Sequence, residues 1–338
     1  MKNSSHVSLK DLAKELGVSV STVSRALQDS PLISVQVRER VRKLASDRNY
    51  RPNPFAISLL KNSPRIIGII VPDIVTYFYS SIISGINDVA RSNDYSVIIT
   101  SSYEQFELEK QCIEDLVNIR VEGILACVSQ ETTDYSHFNK LVAQHVPLVF
   151  FDRVCLADKC SGVVADNVES GLAATTHFLE NGYKRIGFIG GANHLDIVKQ
   201  RKHGYLEGLR KYHIPIEREL VVCGKMTYEE GREATRKLLS LPQPPDAILA
   251  MNDTLAFAAM KEIRKHGLNI PQDVALIGYT DEMHSNYVEP ALTAMTHQTY
   301  EMGSCACTLL LEHIKKEQKP QQMVVPTHLV IRESSLKG

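Results

Sequence analysis

From residue 65 onward, short apolar runs rich in β-branched residues alternate with segments of helical period. No other feature restricts the chain as much. Arg65–Pro72, Ser96–Ser101, Gly123–Val128, Leu148–Asp152, Gly162–Asp166, Arg185–Gly190, Leu220–Cys223, Ala247–Met251 and Val274–Gly278 read as strands. Most are apolar along their length rather than at every second residue, as parallel strands covered on both faces must be. Helical periods separate them, for example over Tyr79–Ser92, Glu169–Asn181 and Leu255–His266. This alternation specifies α/β architecture with doubly wound parallel sheets. About ten strands are too many for one modest sheet, so the pattern calls for two lobes. Near the end, Tyr300–Gln318 reads as a late helix and Val324–Glu333 as one final strand. A length of 338 residues suits more than one domain.

The first fifty residues have a different texture, that of three short helices. Leu9, Leu12, Ala13 and Leu16 fall on one helical face, and Ser8 with Asp11 forms a capping box ahead of them. Gly17 breaks this helix. Ser19 caps a second one, with Val23 and Leu27 inward, and Ser34 caps a third, with Val37, Val41, Leu44 and Ala45 inward. A link of about three residues containing Gly suits a helix-turn-helix. Arg51-Pro52-Asn53-Pro54 then ends the unit, because Pro disfavours helix in the residue before it. Asn53 and Pro54 also open a further helix of about two turns, ending near Asn62-Ser63-Pro64. Isolated helices of that length are marginal in water, so its Phe55, Ile57, Leu59 and Leu60 need a partner.

Charge is divided unevenly. Residues 1–62 hold eleven Lys/Arg against five Asp/Glu, a net of +6, and the remaining 276 residues carry −7. A basic head on an acidic body points to a polyanion-binding module joined to something else. The longest apolar stretches, around Ile66–Val71 and Val146–Phe151, are too short to span a bilayer. No secretory signal is visible in MKNSSHVSLKD, and no membrane association is expected. The seven cysteines include no CxxC pair and lack zinc-site spacing, so they read as reduced thiols of a cytoplasmic protein, with no metal and no cofactor.

Ligands of open parallel sheets bind beyond the carboxyl ends of the strands. Here those ends are Pro72-Asp73, Ser101-Ser102, Ser129-Gln130, Asp152-Arg153, Asp166-Asn167, Gly190-Gly191, Asn252-Asp253 and Thr280-Asp281. Two facing lobes would enclose a cleft rich in Asp, Asn and Arg, suited to a sugar or nucleoside with many hydroxyls. The usual enzyme signatures, GxGxxG after a strand, GxxxxGK[ST], GxSxG and HExxH, do not occur.

The stretches VSLKDLAKELGVSVSTVSRAL and NYRPNPFAISL closely resemble the head of the LacI/GalR (lactose-repressor/galactose-repressor) family of bacterial transcription regulators. RIIGIIVPD, VEGIL, FLENGYKRIGFIGG, AILAMNDTLAFAAMKEIRKHGLNIPQDVALIGYTD and PALTAM extend the resemblance over essentially the whole chain. It implies a helix-turn-helix DNA-binding domain over 1–52, a hinge helix over 53–63 and an effector-binding core over 64–338. That core resembles periplasmic sugar-binding proteins, and the chain crosses between its lobes three times. One lobe would take about 64–166 and 297–322, the other 167–296 and 323–338.

Residue by residue, the resemblance places Val20, Ser21 and Arg25 against base edges, and Ser8, Ser19, Thr22, Ser24 and Ser34 against phosphates. Asn53, Ala56, Leu59 and Leu60 fall in the hinge, with Leu59 as the wedge entering the minor groove. For the effector pocket it implies Tyr77, Phe78, Asp152, Arg153, Arg201, Asn252, Asp253, Thr280, Asp281 and Gln298. One departure stands out. Family members commonly carry Asp directly after the Gly-aromatic pair, whereas Gly278-Tyr279 is followed here by Thr280, with Asp281 one place later. The chain ends soon after the last strand, without the heptad tail of tetrameric members, which implies a homodimer. The expected function is a non-enzymatic regulator, in all expectation a repressor, that binds a pseudo-palindromic double-stranded operator. A small-molecule effector, a sugar or sugar derivative, would switch it. The alternatives are a nucleoside or nucleobase as effector, or a sugar-binding receptor or α/β enzyme.

Overall fold

The computed structural model describes residues 7–50, 64–316 and 318–337. The expected hinge, with Asn53, Ala56, Leu59 and Leu60, lies outside the described residues. The chain divides into two units, residues 1–64 and 65–338.

The first unit holds α1 (Leu9–Leu16), α2 (Val20–Leu27) and α3 (Val35–Asp47). Its small core is Leu12, Ala13, Val23, Ala26, Val41 and Ala45. Ser8 accepts from the Asp11 amide, and the Asp11 carboxylate accepts from the Ser8 amide, which closes the capping box at the start of α1. Gly17 ends α1 at φ +68, a left-handed conformation that glycine adopts without steric cost. Ser19 caps α2 by accepting from the Thr22 amide. Ser34 occupies the cap position of α3, but its side chain makes no capping hydrogen bond, contrary to the sequence expectation.

The second unit contains two six-stranded sheets. In lobe 1 the order is β11-β5-β4-β3-β1-β2 and every pairing is parallel. The strands are β1 (Ile66–Val71), β2 (Ser96–Ser101), β3 (Gly123–Ala126), β4 (Leu148–Phe151), β5 (Ser161–Ala165) and β11 (Gln322–Val325). In lobe 2 the order is β12-β10-β9-β8-β6-β7. These are β6 (Ile186–Gly190), β7 (Val221–Cys223), β8 (Ala247–Ala250), β9 (Ala275–Thr280), β10 (Thr293–His297) and β12 (Thr327–Val330). Only β12 runs antiparallel to its neighbour, β10.

Helices α4 (Tyr77–Ser92), α5 (Phe106–Ile119), α6 (Ser136–Ala143) and α11 (Thr299–Lys315) belong to lobe 1. Helices α7 (Asn167–Glu180), α8 (Asp196–Lys211), α9 (Tyr228–Leu239) and α10 (Asp253–Lys265) belong to lobe 2. Each lobe has one helix pair in backbone contact through glycine. A Cβ on Gly85 of α4 would stand 2.1 Å from the Tyr300 carbonyl, and one on Gly303 of α11 2.0 Å from the Ile82 carbonyl. Lobe 2 repeats the device, with Gly171 of α7 against the Arg201 carbonyl and Gly204 of α8 against the Val168 carbonyl.

Two sequence expectations need correction. Val324–Glu333 is not one strand. Pro326 lacks an amide donor and separates β11 in lobe 1 from β12 in lobe 2, so the last crossing falls there rather than after 322. The strand β10 had no counterpart in the sequence reading, because Thr293-Ala-Met-Thr-His297 is short and has no β-branched apolar run. The other crossings lie at Asp166, between β5 and α7, and at Gln298, between β10 and α11. The carboxylate of Asp166 accepts from the Thr327 amide at 3.0 Å and from the Thr327 hydroxyl, tying two crossings together. All seven cysteines are unpaired thiols and five are buried. Burial pushes the Cys160 thiol up to about 11 and Cys307 to about 12.

Candidate functional site

In the first unit, the start of α2 presents a cluster of hydroxyls. Ser19 Oγ lies 2.8 Å from both Ser21 Oγ and Thr22 Oγ1. Val20 is 40% exposed, and Ser21 and Arg25 are exposed beside it. Val20, a β-branched residue partly exposed at a helix start, is accessible to a partner. Arg25 makes no ion pair among the described residues. Arg38 and Arg42, by contrast, both meet Asp29, and Arg48 meets Glu15 at 2.9 Å. Ser8 and Ser34 are exposed, while Thr22 and Ser24 are half-buried. The Ser8 hydroxyl is held by Asp11 Oδ2 at 2.6 Å. The residues expected at DNA thus divide into an exposed face (Val20, Ser21, Arg25) and hydroxyls at helix starts (Ser8, Ser19, Ser34).

In the second unit, a cavity of about 450 Å³ lies between the lobes at the carboxyl ends of their strands. Phe78, Asp152, Arg153, Arg201, Asn252, Asp253 and Thr280, each expected from the sequence, line it together. Three others do not. Tyr77 is half-exposed at the first position of α4, where the helix turns Phe78 inward instead. Asp281 is held by Arg332 at 2.7 Å. Gln298 is half-buried at the start of α11, and the residue before it, His297, takes the inward position.

Arg201 is only 2% exposed and its donors are distributed over lobe 2. Nε reaches Asn167 Oδ1 at 2.9 Å, Nη1 the Met251 carbonyl at 2.7 Å, and Nη2 His297 Nε2 at 2.9 Å. Its guanidinium lies over the Tyr279 ring, 4.3 Å from the centroid. Asp152 adopts φ +59 at the end of β4 and accepts from the Cys127 thiol at 3.8 Å. Burial pushes its carboxyl up, opposed by the guanidinium groups of Arg153 and Arg201. Arg153 grips Glu104 with two parallel hydrogen bonds, Nη1 to Oε2 at 2.8 Å and Nη2 to Oε1 at 2.9 Å.

Asn252 caps α10 by accepting from the Leu255 amide at 2.8 Å. The buried Asp253 accepts from the Glu282 amide at 2.8 Å and from the Ser285 hydroxyl at 3.1 Å through Oδ2. Burial pushes its carboxyl up to about 7, against the pull of these hydrogen bonds. Its Oδ1 sits against Gly278, where a Cβ would stand 2.4 Å away, so this close approach requires glycine. On the other side of the cleft, the buried Glu109 accepts from the Ser129 amide at 2.6 Å, the Thr132 hydroxyl at 2.7 Å and His137 Nε2 at 2.8 Å. That network fixes the loop carrying Gln130. Gln130 Oε1 accepts from the Met226 amide across the cleft at 3.1 Å, and Lys225 reaches Glu131 at 3.4 Å beside it.

Sequence reasoning missed Glu104, Glu282, Tyr103 and Gln130 as lining residues, and His297 as the partner of Arg201. Gln130 was named only among the strand ends. Glu104 stands two residues beyond the strand-end pair Ser101-Ser102 and Glu282 one residue beyond Thr280-Asp281, so a window two residues longer would have found both. His297 gave no signal, since it closes the strand that was not anticipated. Among the described residues no cluster of His, Cys, Asp and Glu could hold a metal ion, and no helix is long and apolar enough to cross a membrane.

Comparison with known proteins agrees with this arrangement. Residues 8–53 match the model of bacterial regulatory proteins of the lacI family, and residues 175–335 match the periplasmic binding protein-like domain. The HTH-type transcriptional repressor CytR of Escherichia coli (strain K12) is 31% identical over 99% of this chain and 98% of its own length. The probable HTH-type transcriptional repressor ExuR of Bacillus subtilis (strain 168) is 32% identical over 97% of this chain and 98% of its own. The solved complex of the transcriptional regulator CelR with cellobiose aligns at a TM-score of 0.75 and 28% identity, covering 97% of this chain and 99% of that one. The lac repressor dimer bound to operator shares the fold at a TM-score of 0.85 and 24% identity, over 98% and 99% of the two chains. With CytR matched nearly end to end and the head motif matched by the family model, the chain belongs to the lacI family of bacterial regulatory proteins.

Proposed function

We propose that this chain is a repressor that binds a pseudo-palindromic operator as a homodimer and is switched by a small carbohydrate held between its lobes. The observation that carries this reading is the cavity itself. It draws acceptors and donors from both lobes around three aromatic side chains, Phe78, Tyr79 and Tyr103, a composition suited to a hydroxyl-rich ring. The CelR–cellobiose complex, similar over nearly the whole chain, supports a carbohydrate. A ligand touching both lobes favours whichever arrangement of them it fits, and so shifts the population that presents the heads to DNA. CytR and ExuR, each about as similar, are themselves named repressors. A nucleoside is the second reading, favoured by the aromatic wall.

A thermal-shift screen of the full chain against neutral sugars, sugar derivatives and nucleosides tests the proposal. A ligand present at about 100 times its Kd adds roughly 2.7 kcal/mol of stability. The cleft reading fails if no member of either class raises the melting temperature at millimolar concentration.

A further inference from the structure

Five carboxylates, Asp73, Glu104, Asp152, Asp253 and Glu282, line the cavity, against two guanidinium groups, Arg153 and Arg201. Every nitrogen of the two guanidinium groups already has a partner, Arg153 Nε meeting Asp152 Oδ2 at 3.9 Å. Arg153 is closed by the two-point pair with Glu104, and its Nη1 also donates to the Val128 carbonyl at 3.2 Å. Glu104 is committed in turn, since Oε2 also accepts from the Gln130 amide at 2.7 Å. A planar two-point pair of this kind satisfies both partners in a fixed geometry. The backbone presents Glu104 deliberately: Tyr103 and Glu104 take φ +50 and +62 in succession, a left-handed turn that non-glycine residues rarely adopt. Arg201 spends Nε, Nη1 and Nη2 on neutral acceptors, and the Tyr279 ring covers one face of its guanidinium.

We infer that the effector of this cleft is uncharged or carries a positive charge, and that Glu104 sets this specificity by occupying Arg153. The inference rests on the cleft being the effector site and narrows the ligand to neutral or amino sugars, excluding phosphate esters and uronic acids. An anionic ligand would meet five carboxylates and two guanidinium groups whose nitrogens already have partners, and like charges placed together are strongly disfavoured. Burial pushes the Asp152 and Glu282 carboxyls upward, opposed at Asp152 by the Arg153 and Arg201 guanidinium groups. Replacing Glu104 by an amide of the same shape removes the charge that neutralises Arg153 and leaves a guanidinium open to the cavity.

The test compares ligand families by calorimetry on the full chain. Glucose, galactose and ribose are each titrated beside their phosphate esters, and glucose and galactose also beside their uronic acids and 2-amino derivatives. The wild-type chain should bind a neutral or amino member at least about tenfold more tightly than its anionic counterpart. Glu104→Gln should narrow that ratio by about tenfold, chiefly by strengthening the anionic member. Anionic members binding the wild type as tightly as their neutral parents overturn the inference while leaving the cleft reading intact. So does an unchanged ratio in a folded Glu104→Gln chain. If Glu104→Gln does not fold, the wild-type ratios alone decide. Failure of every member to bind overturns the carbohydrate reading and the inference with it.

Discussion

Arg201 Nη2 lies 2.9 Å from His297 Nε2, and since a guanidinium can only donate, His297 accepts there and carries its proton on Nδ1. Burial, reinforced by the charge of Arg201, holds the imidazole well below its ordinary basicity. The unfolded chain takes up a proton near pH 6.5 and the folded chain does not. Folding stability from this site is therefore intact above about pH 6.5 and declines as pH falls below it. His297→Gln keeps an acceptor for Arg201 but does not titrate. Urea midpoints at pH 7.5 and 5.0 should fall further for the wild type than for the variant. Parallel falls would show that His297 does not titrate in this way.

Asp253 has the opposite sign. Its carboxyl is raised to about 7 from the usual 3.8, so the folded chain binds the proton more tightly than the unfolded chain. The stability this brings is full below about pH 4 and is lost as pH rises through 7. At about 1.4 kcal/mol per tenfold change in acidity, the cost above pH 8 is at most on the order of 4 kcal/mol. Asp253→Asn, which cannot ionise, should therefore gain stability relative to the wild type between pH 5 and pH 8 in chemical denaturation. A constant difference across that range would contradict this.

The glycines at the helix crossings give a sharper packing prediction. In an open helix, Gly85→Ala would stabilise by about 1 kcal/mol through propensity. Here the new methyl meets the Tyr300 carbonyl at 2.1 Å, and the backbones of α4 and α11 must separate. The clash wins: Gly85→Ala should lower stability by about 2–4 kcal/mol, in the range of severe overpacking. A melting temperature equal to or above that of the wild type would refute the close crossing.

Two lobes of largely parallel sheet, the helical head and part of the cleft lining were legible in the sequence for physical reasons. Strands buried on both faces must be continuously apolar, as Ile66–Val71 is, and polar residues such as the cavity-lining Asp152 and Asn252 collect where such strands end. What escaped detection depends on groups far apart in sequence. Nothing in the neighbourhood of Glu104 announces that Arg153, 49 residues on, will close on it. Nothing around Asp281 shows that Arg332 will draw it away from the cleft, which leaves Thr280 and Glu282 to line it. The split of the last strand shows in the sequence only as Pro326, and a proline at a sheet edge is tolerated, so it does not by itself announce a crossing.

The resemblance assigns Leu59 the role of the minor-groove wedge. Leu59→Ala should lower operator affinity by about tenfold or more, since a wedge that unstacks bases supports the bend through its apolar volume. Ligand affinity in the cleft, measured by calorimetry on the same variant, should not change. Unaltered operator binding in gel-shift titration would remove Leu59 from that role.

Selection of bound duplexes from a randomised pool, followed by a salt titration on the enriched sequence, tests whether the basic head grips duplex DNA in a sequence-selecting way. The expected result is an inverted repeat, bound with an affinity that drops steeply with salt, by roughly a thousandfold or more between 50 and 200 mM for six or more phosphate contacts. Arg25→Ala should relax the choice of base within each half-site. No enriched sequence, or retention of duplex that is indifferent to salt, would contradict it.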